Sequence, residues 1–490
     1  MSNTLPDAKL YIDGVIRSSS NDAWFDNINP WTAESCGRAA DATEGDVEEA
    51  IVAARRAFDE SDWSTNRDKR FELVSKLVDE MFAQREHLTN IACLEAGAAL
   101  GAANRAHIDG ALNGGKDLLE CFKKVEWESD RGNKVDMGIK SHRIVVNEPL
   151  GVVAAITPWN VPLYVNVGKV IAALLAGCTV ILKPAPDTPL MGSVMGEMAD
   201  KVGLPKGVLN VITSADPAMA GEMLTRDPRV DVVSFTGSTV VGKRIMENGA
   251  STLKRIFLEL GGKSANIILE DTPDFQISCM MGMAVFHAGQ GCAMPTRMLV
   301  PKSRYEEAVE ALKISYGAFS QKWGEFGNPE HIMGPVISKK QHERVLGYIE
   351  LGKEEGAQCI AGGGPAPEKG NGFFVQPTCF VNVTNDMRIA REEIFGPVLV
   401  VIPFEDDEDA IRIANDSEYG LGGSVMSGDQ ERAMNVARRI RAGAISVNGG
   451  MSITGDLPFG GFKGSGMGRE WGVEGIEDFL DTKAIAVKVG

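Results

Sequence analysis

From residue 151 the chain repeats one pattern: a short uninterrupted apolar run, a turn marked by Gly or Pro, then a longer helical stretch. The runs are GVVAAI (151–156), TVILK (179–183), VLNVI (208–212), VDVVSF (230–235) and RIFLEL (255–260). Runs rich in β-branched residues, without the alternation of a half-exposed strand, predict parallel strands covered on both faces. Stretches such as GKVIAALLAG supply the covering helices. Residues 151 to about 260 therefore read as a doubly wound, nucleotide-type α/β domain. A second series predicts another α/β unit: ANIIL (265–269), RMLVP (297–301), VLVVIPF (398–404), GSVMS (423–427) and AISVN (444–448). The Gly/Pro-rich loops GGGPAPEKGNG and DLPFGGFKGSGMG punctuate it.

Upstream, a short strand-like start gives way to helical periodicity. Val47, Ala50, Ile51, Ala54 and Phe58 share one face; Phe71, Val74, Leu77, Val78, Met81 and Phe82 share another. SHRIVVNEPLG, before residue 151, and the C-terminal TKAIAVKVG alternate like edge strands and belong to neither series. They are expected to pair with each other or with another subunit.

Composition narrows the functions. A length of 490 residues calls for two or three domains, and 44% apolar with 24% charged residues is a folded globular balance. A formal charge of -17 argues against nucleic acid as a partner. The N-terminus lacks the pattern of a signal peptide and no apolar run is long enough to span a membrane, so a cytoplasmic location without membrane attachment is expected. The eight cysteines form no C-x-x-C pair and the six histidines are dispersed, so neither a disulfide framework nor a metal site is expected.

One cysteine stands apart. Cys292, in FHAGQGCAMP (286–295), is flanked by Gly291 and Ala293, which leave its sulfur accessible. A helix predicted to start near Pro295 would turn its backbone dipole toward the thiol, favouring a nucleophilic thiolate. The other cysteines read as small core residues. Glu259 ends RIFLEL just before Gly-Gly, where partial desolvation raises a carboxyl toward a general base's range; a capping or surface carboxylate is the alternative. Asn160, fixed between Trp159 and Val161-Pro162, is a carboxamide able to donate to an oxyanion, or a simple turn residue. FTGSTVVG (235–242) reads as a strand end opening a helix, with Gly237 and Gly242 leaving room for a phosphate at the helix N-terminus. No G-x-G-x-x-G occurs. His287, five residues before Cys292, admits a Cys-His hydrolase as a competing reading.

Seven stretches, TPWNVP (157–162), ILKPAPDTP (181–189), FTGSTVVG, LELGGKSAN (258–266), GQGCAMPTR (289–297), EEIFGPV (392–398) and PFGGFKGSGMGRE (458–470), resemble the aldehyde dehydrogenase superfamily in order and spacing. The resemblance implies two doubly wound α/β domains. A variant Rossmann cofactor domain would take residues 1–130 and 150–260, and a catalytic domain 261–465. A small β arm (131–149 and 477–490) would bridge subunits of a homodimer or homotetramer. It further implies a hydrolytic, NAD(P)-dependent, non-CoA-acylating enzyme that oxidises an aldehyde to the acid through a cysteine thiohemiacetal and thioester. Cys292 would be the nucleophile, Asn160 and the Cys292 N–H the oxyanion donors, Glu259 the base that activates water, and Lys169 a further catalytic residue.

On the cofactor side the resemblance gives Trp159, Gly237 and Gly242, Lys183 at the adenosine ribose, Ser238 at the pyrophosphate, and Glu393 and Phe395 at the nicotinamide ribose and ring. A glutamate often stands three residues after that lysine; here Pro186 and then Asp187 follow, so the ribose-reading carboxylate is missing or displaced. NAD is the expected cofactor and NADP the alternative. Asp481 falls where many relatives carry a glutamate tied to a proton relay. Val161, Val165, Gly168, Phe286 and Ile453 would line the substrate entrance. None is charged, and Gly168 replaces an often bulky side chain, so an apolar and fairly wide tunnel for a medium or large aldehyde (aliphatic, terpenoid or aromatic) is expected. A CoA-acylating dehydrogenase and a catalytically silent binding protein are the competing readings on this fold; retention of Glu259 favours hydrolysis.

Overall fold

The computed structural model describes residues 4–489. Residues 1–3 and 490, at the outer ends of two segments predicted above, lie outside the described residues. Two large sheets organise the chain. In the first, strands run in the order Gly466–Met467, Arg255–Glu259, Val232–Thr236, Val152–Ile156, Thr179–Lys183, Leu209–Val211, Leu10–Ile12, Val15–Arg17. The five central strands are parallel and coincide with the five apolar runs of the sequence. Helices cover both faces, burying one apolar cluster on each. The order reverses at Val152–Ile156, so a crevice opens at the carboxyl ends of this strand and Val232–Thr236, where open α/β sheets hold ligands.

Local signals fix the helices that frame the crevice. Glu44–Glu60 starts at a reciprocal capping box between Thr43 and Asp46. Pro162–Ala176 begins with Pro162, ends at left-handed Gly177 (φ 103°), and is apolar and buried on nearly every side. Upstream, the expected strand-like start is more extensive than the sequence suggested. A two-stranded ribbon, Trp24–Asn29 with Glu34–Ala40, precedes the first helix.

The second sheet has the order Gln358–Ala361, Thr378–Val381, Val398–Phe404, Pro295–Pro301, Ser264–Ile268, Gly422–Met426, Ala444–Val447. All but the first pair are parallel. The helix expected near Pro295 is absent: Pro295–Pro301 is a strand between Ser264–Ile268 and Val398–Phe404, and Met298, Leu299 and Val300 are fully buried between the sheet's neighbours and its helices. Continuous burial on both faces outweighs proline's preference for a helix start. The third sheet joins the two unassigned segments. Leu480–Lys488 runs antiparallel to Ile139–Pro149, which pairs with Glu128–Asp136, and the arm is largely exposed.

A buried carboxyl ties the N-terminal ribbon to the helices behind the first sheet. Glu95 accepts from Leu190 N–H (2.6 Å), Met191 N–H (3.0 Å) and Asn27 Nδ2 (2.7 Å) at the start of helix Pro189–Lys201. Burial outweighs these donors and raises its pKa to about 8. The folded state thus holds a proton that the unfolded chain releases in the usual carboxyl range. The resulting stabilisation is full below that range and lost as pH rises through about 8. Glu95→Ala strands two helix N–H groups and is expected to cost about 2–4 kcal/mol. Glu95→Gln, neutral at every pH and still an acceptor, should flatten the fall of the unfolding midpoint between the usual carboxyl range and about pH 8 and leave the slope above it unchanged. Thermal unfolding across pH checks both.

Candidate active site

Three glycines let separate backbones meet at the thiol. A Cβ at Gly262 would collide with the carbonyl oxygen of Cys292, one at Gly261 with the carboxylate of Glu393, and one at Gly289 with the carbonyl of Gly396. The end of strand Arg255–Glu259, the thiol loop and the segment carrying Glu393 and Phe395 therefore pack without side chains between them. Gln290 pins the thiol loop, accepting from Ile337 N–H at 2.9 Å and donating to His287 O at 3.2 Å. Asn160 Nδ2 donates to Gln290 O at 3.0 Å. A carboxamide has two N–H donors, so one remains for an oxyanion.

The electrostatics differ from the sequence expectation. Cys292 lies in the turn before strand Pro295–Pro301, with no helix dipole aimed at it. Burial, reinforced by the Glu259 and Glu393 carboxylates, pushes its thiol up to about 12. Glu259 is buried, neither of its oxygens has a side-chain partner among the described residues, and burial with the nearby Glu470 raises its pKa well above the usual range. Lys169 is fully buried; its ammonium donates to Ser234 Oγ at 2.9 Å and forms a salt bridge with Glu470. Lys169 favours the ionised form of Glu259 while Glu470 opposes it, so the three form one electrostatic group.

Glu470 escaped the sequence reading although it stands in the quoted PFGGFKGSGMGRE. Asp481, whose role the sequence leaves open, is an exposed arm residue 3.5 Å from Arg255. His287 makes no hydrogen bond to the thiol of Cys292. Its buried imidazole meets that of His107 edge-on, with centroids 4.4 Å apart, and its polar influence comes from the Asn160 backbone.

Residues assigned to a cofactor surround the crevice. Ser238 caps helix Thr239–Gly249, accepting from Val241 N–H at 3.4 Å. Gly237 N–H donates to Glu259 O at 3.0 Å, tying this turn to the neighbouring strand end. A Cβ at Gly237 would collide with the Phe235 ring, and one at Gly242 would lie 2.7 Å from Leu260. The two glycines serve close packing of the turn and helix on the sheet. Trp159 and Phe395 meet edge-on with centroids 5.3 Å apart, and Phe395 holds a left-handed φ of 61° while its carbonyl accepts from Gln341 at 2.8 Å. Glu393 accepts from Gly262 N–H at 2.9 Å, and burial raises its pKa. Lys183 is buried at its strand end, donating to Pro184 O at 3.3 Å. The buried hydroxyls of Thr157 and Thr236, at the ends of adjacent strands, lack protein partners. Free hydroxyls, an ammonium and a helix N-terminus suit a phosphate-bearing ligand.

The substrate side departs from the sequence picture at Gly168. A Cβ there would lie 2.9 Å from the Trp471 indole, which also fills the space beside Gly114 and packs tilted against Tyr164 with ring centroids 4.5 Å apart. The room expected at Gly168 is thus taken by a side chain from a distant segment. Val165 is buried, Val161 and Phe286 are half-buried, and Ile453 is exposed, one turn of chain before Leu457.

The sequence model of the aldehyde dehydrogenase family matches residues 16–485. Among solved structures, aldehyde dehydrogenase from Mycobacterium tuberculosis complexed with NAD+ is 40% identical with a TM-score of 0.94, covering 99% of each chain. Betaine aldehyde dehydrogenase from Staphylococcus aureus in complex with NAD+ is 36% identical (98% of this chain, 95% of that chain, TM-score 0.94). A mutant of aldehyde dehydrogenase C from Pseudomonas syringae, complexed with NAD+ and octanal, is 37% identical (98% and 96%, TM-score 0.90). With a family match over nearly its whole length and these folds alongside, the chain belongs to the aldehyde dehydrogenase family.

Proposed function

We propose that the protein oxidises a medium-sized, apolar aldehyde to its carboxylic acid with NAD, hydrolysing a Cys292 thioester without CoA. The observation that carries this reading is Glu259: a buried carboxyl with no side-chain partner among the described residues, beside the thiol loop and in the field of Lys169 and Glu470. Transfer to another thiol needs no base for water; hydrolysis does.

In this cycle Cys292 loses its proton to water and its sulfur adds to the aldehyde carbon. The resulting oxyanion accepts from the second Asn160 N–H and the Cys292 backbone N–H. Bound oxidised nicotinamide supplies the hydride acceptor. Departure of hydride from the thiohemiacetal carbon leaves a Cys292 thioester. Glu259 takes a proton from the attacking water as the carbon–sulfur bond breaks, releasing the acid and the thiolate. The raised pKa of Glu259 makes it a stronger base, and Lys169 with Glu470 offers the proton a buried route onward. For the cofactor, Lys183 would hold the adenosine ribose, Ser238 the pyrophosphate, Glu393 the nicotinamide ribose, and Trp159 with Phe395 would border the ring.

Residues 1–130 and 150–260 would form the cofactor half and 261–465 the catalytic half. The arm of 131–149 and 477–490 would join subunits of a homodimer or homotetramer. Its alternate apolar side chains Val135, Ile139, Ile485 and Val487 are exposed, which supports a covering partner. Eight free cysteines suit the reducing cytoplasm. For the substrate, Val161, Val165, Tyr164 and Trp471 give an uncharged wall, while the charge of Lys169 is consumed by Glu470. The octanal complex of the Pseudomonas relative is consistent with such a wall.

Three measurements test the reading. Glu259→Gln should give a burst of NADH stoichiometric with active sites, then steady-state turnover reduced by about 10²–10⁴-fold; full turnover, or a strict need for CoA, would refute hydrolysis through this carboxylate. Because the thiol sits near 12, alkylation of Cys292 by iodoacetamide in cofactor-free enzyme should accelerate about tenfold per pH unit from neutral to alkaline pH; a plateau near neutrality would contradict a protonated resting thiol. In a panel, octanal and benzaldehyde should exceed betaine aldehyde and succinic semialdehyde in kcat/KM by at least about tenfold.

A further inference from the structure

Lys183 has no carboxylate three residues on in sequence, but one from another loop lies within its electrostatic reach. Strand Thr179–Lys183 lies parallel to Leu209–Val211 with Leu182 opposite Val211, and Ile212 N–H donates to Leu182 O at 3.0 Å. The chains leaving both strands therefore emerge side by side, Lys183 from one and Thr213 to Asp216 from the other. That second turn is firmly anchored. Thr213 Oγ1 donates to Ala40 O at 2.6 Å, while Ala215 N–H (2.9 Å) and Ser214 Oγ (3.3 Å) donate to Asp41. Asp216 caps helix Pro217–Arg226, accepting from Ala218 N–H at 2.8 Å, and stays exposed.

The charges divide the same way. Burial lowers the Lys183 ammonium to about 8, and the carboxylate that opposes this loss is Asp216. Asp187, the acid nearest Lys183 in sequence, is directed elsewhere: Pro184, Pro186 and the helix start at Pro189 carry it into the surroundings of Glu95 and Lys340.

We propose that Asp216 selects NAD over NADP, accepting from the adenosine ribose 2′-hydroxyl beside Lys183 and repelling a 2′-phosphate, with Asp41 as a second negative charge behind it. This rests on the reading of Lys183 as the adenosine-ribose residue. A carboxylate gains a hydrogen bond from a neutral diol, whereas a phosphate dianion beside it meets like charge that one lysine does not neutralise. Selectivity then comes chiefly from rejection of the wrong cofactor.

The test is steady-state kinetics with NAD and with NADP on four proteins: wild type, Asp216→Asn, Asp187→Asn and Lys183→Ala. Asparagine keeps the capping acceptor, so the helix start survives. Asp216→Asn should shift the kcat/KM ratio toward NADP by about tenfold or more, mainly through a lower KM for NADP. Asp187→Asn should leave the ratio within about twofold. Lys183→Ala should raise the KM for NAD. If Asp216→Asn leaves the ratio unchanged while Lys183→Ala weakens NAD, the inference falls and the cofactor site stands. If Lys183→Ala leaves the KM of both cofactors unaltered, the underlying reading of the site falls with it.

Discussion

The absence of side chains at Gly261 and Gly262 is the constraint on which the site depends. These residues follow the strand that delivers Glu259 and precede the strand Ser264–Ile268 that begins the second sheet, so one short link joins the two halves. At that link the backbone touches both the carbonyl of Cys292 and the carboxylate of Glu393. A single methyl group would drive the thiol loop and Glu393 away from the strand end that carries Glu259. Close packing of this kind has little room to relax, because protein interiors are nearly as dense as organic crystals.

Burial then sets the chemistry. The thiol and the carboxyl of Glu259 both rest in a setting that favours their neutral forms. Lys169 and Glu470 carry opposite charges beside them, already paired. Such a site holds few free charges at rest and keeps its proton acceptors strong, a condition in which pKa values well away from their ordinary range are common.

Much of this arrangement was legible in the chain itself. The ten apolar runs correspond to strands because fully buried parallel strands carry uninterrupted hydrophobic sequence, and the strand ends locate Lys183, Gly237 and Glu259 at one edge. Pro295 misled because its local preference yields to a buried sheet position between two parallel neighbours. Glu470 was hidden for a different reason: its partner Lys169 lies 301 residues away, and no local pattern announces a pair assembled by tertiary packing. The wall at Gly168 was hidden likewise, since an empty position in sequence says nothing about which distant side chain fills it.

Trp471 and Glu470 are adjacent in the chain, and their side chains act on different parts of the site: one occupies the space over Gly168, the other pairs with Lys169. Gly168 and Lys169 are themselves neighbours on one helix. In the proposed cycle, the width of the substrate wall and the handling of the proton would be mechanically geared through two consecutive residue pairs. Thinning the wall to admit a bulkier aldehyde frees the backbone that aims the acid, so selection for new substrates on this scaffold is expected to alter the pH response of turnover together with its size preference.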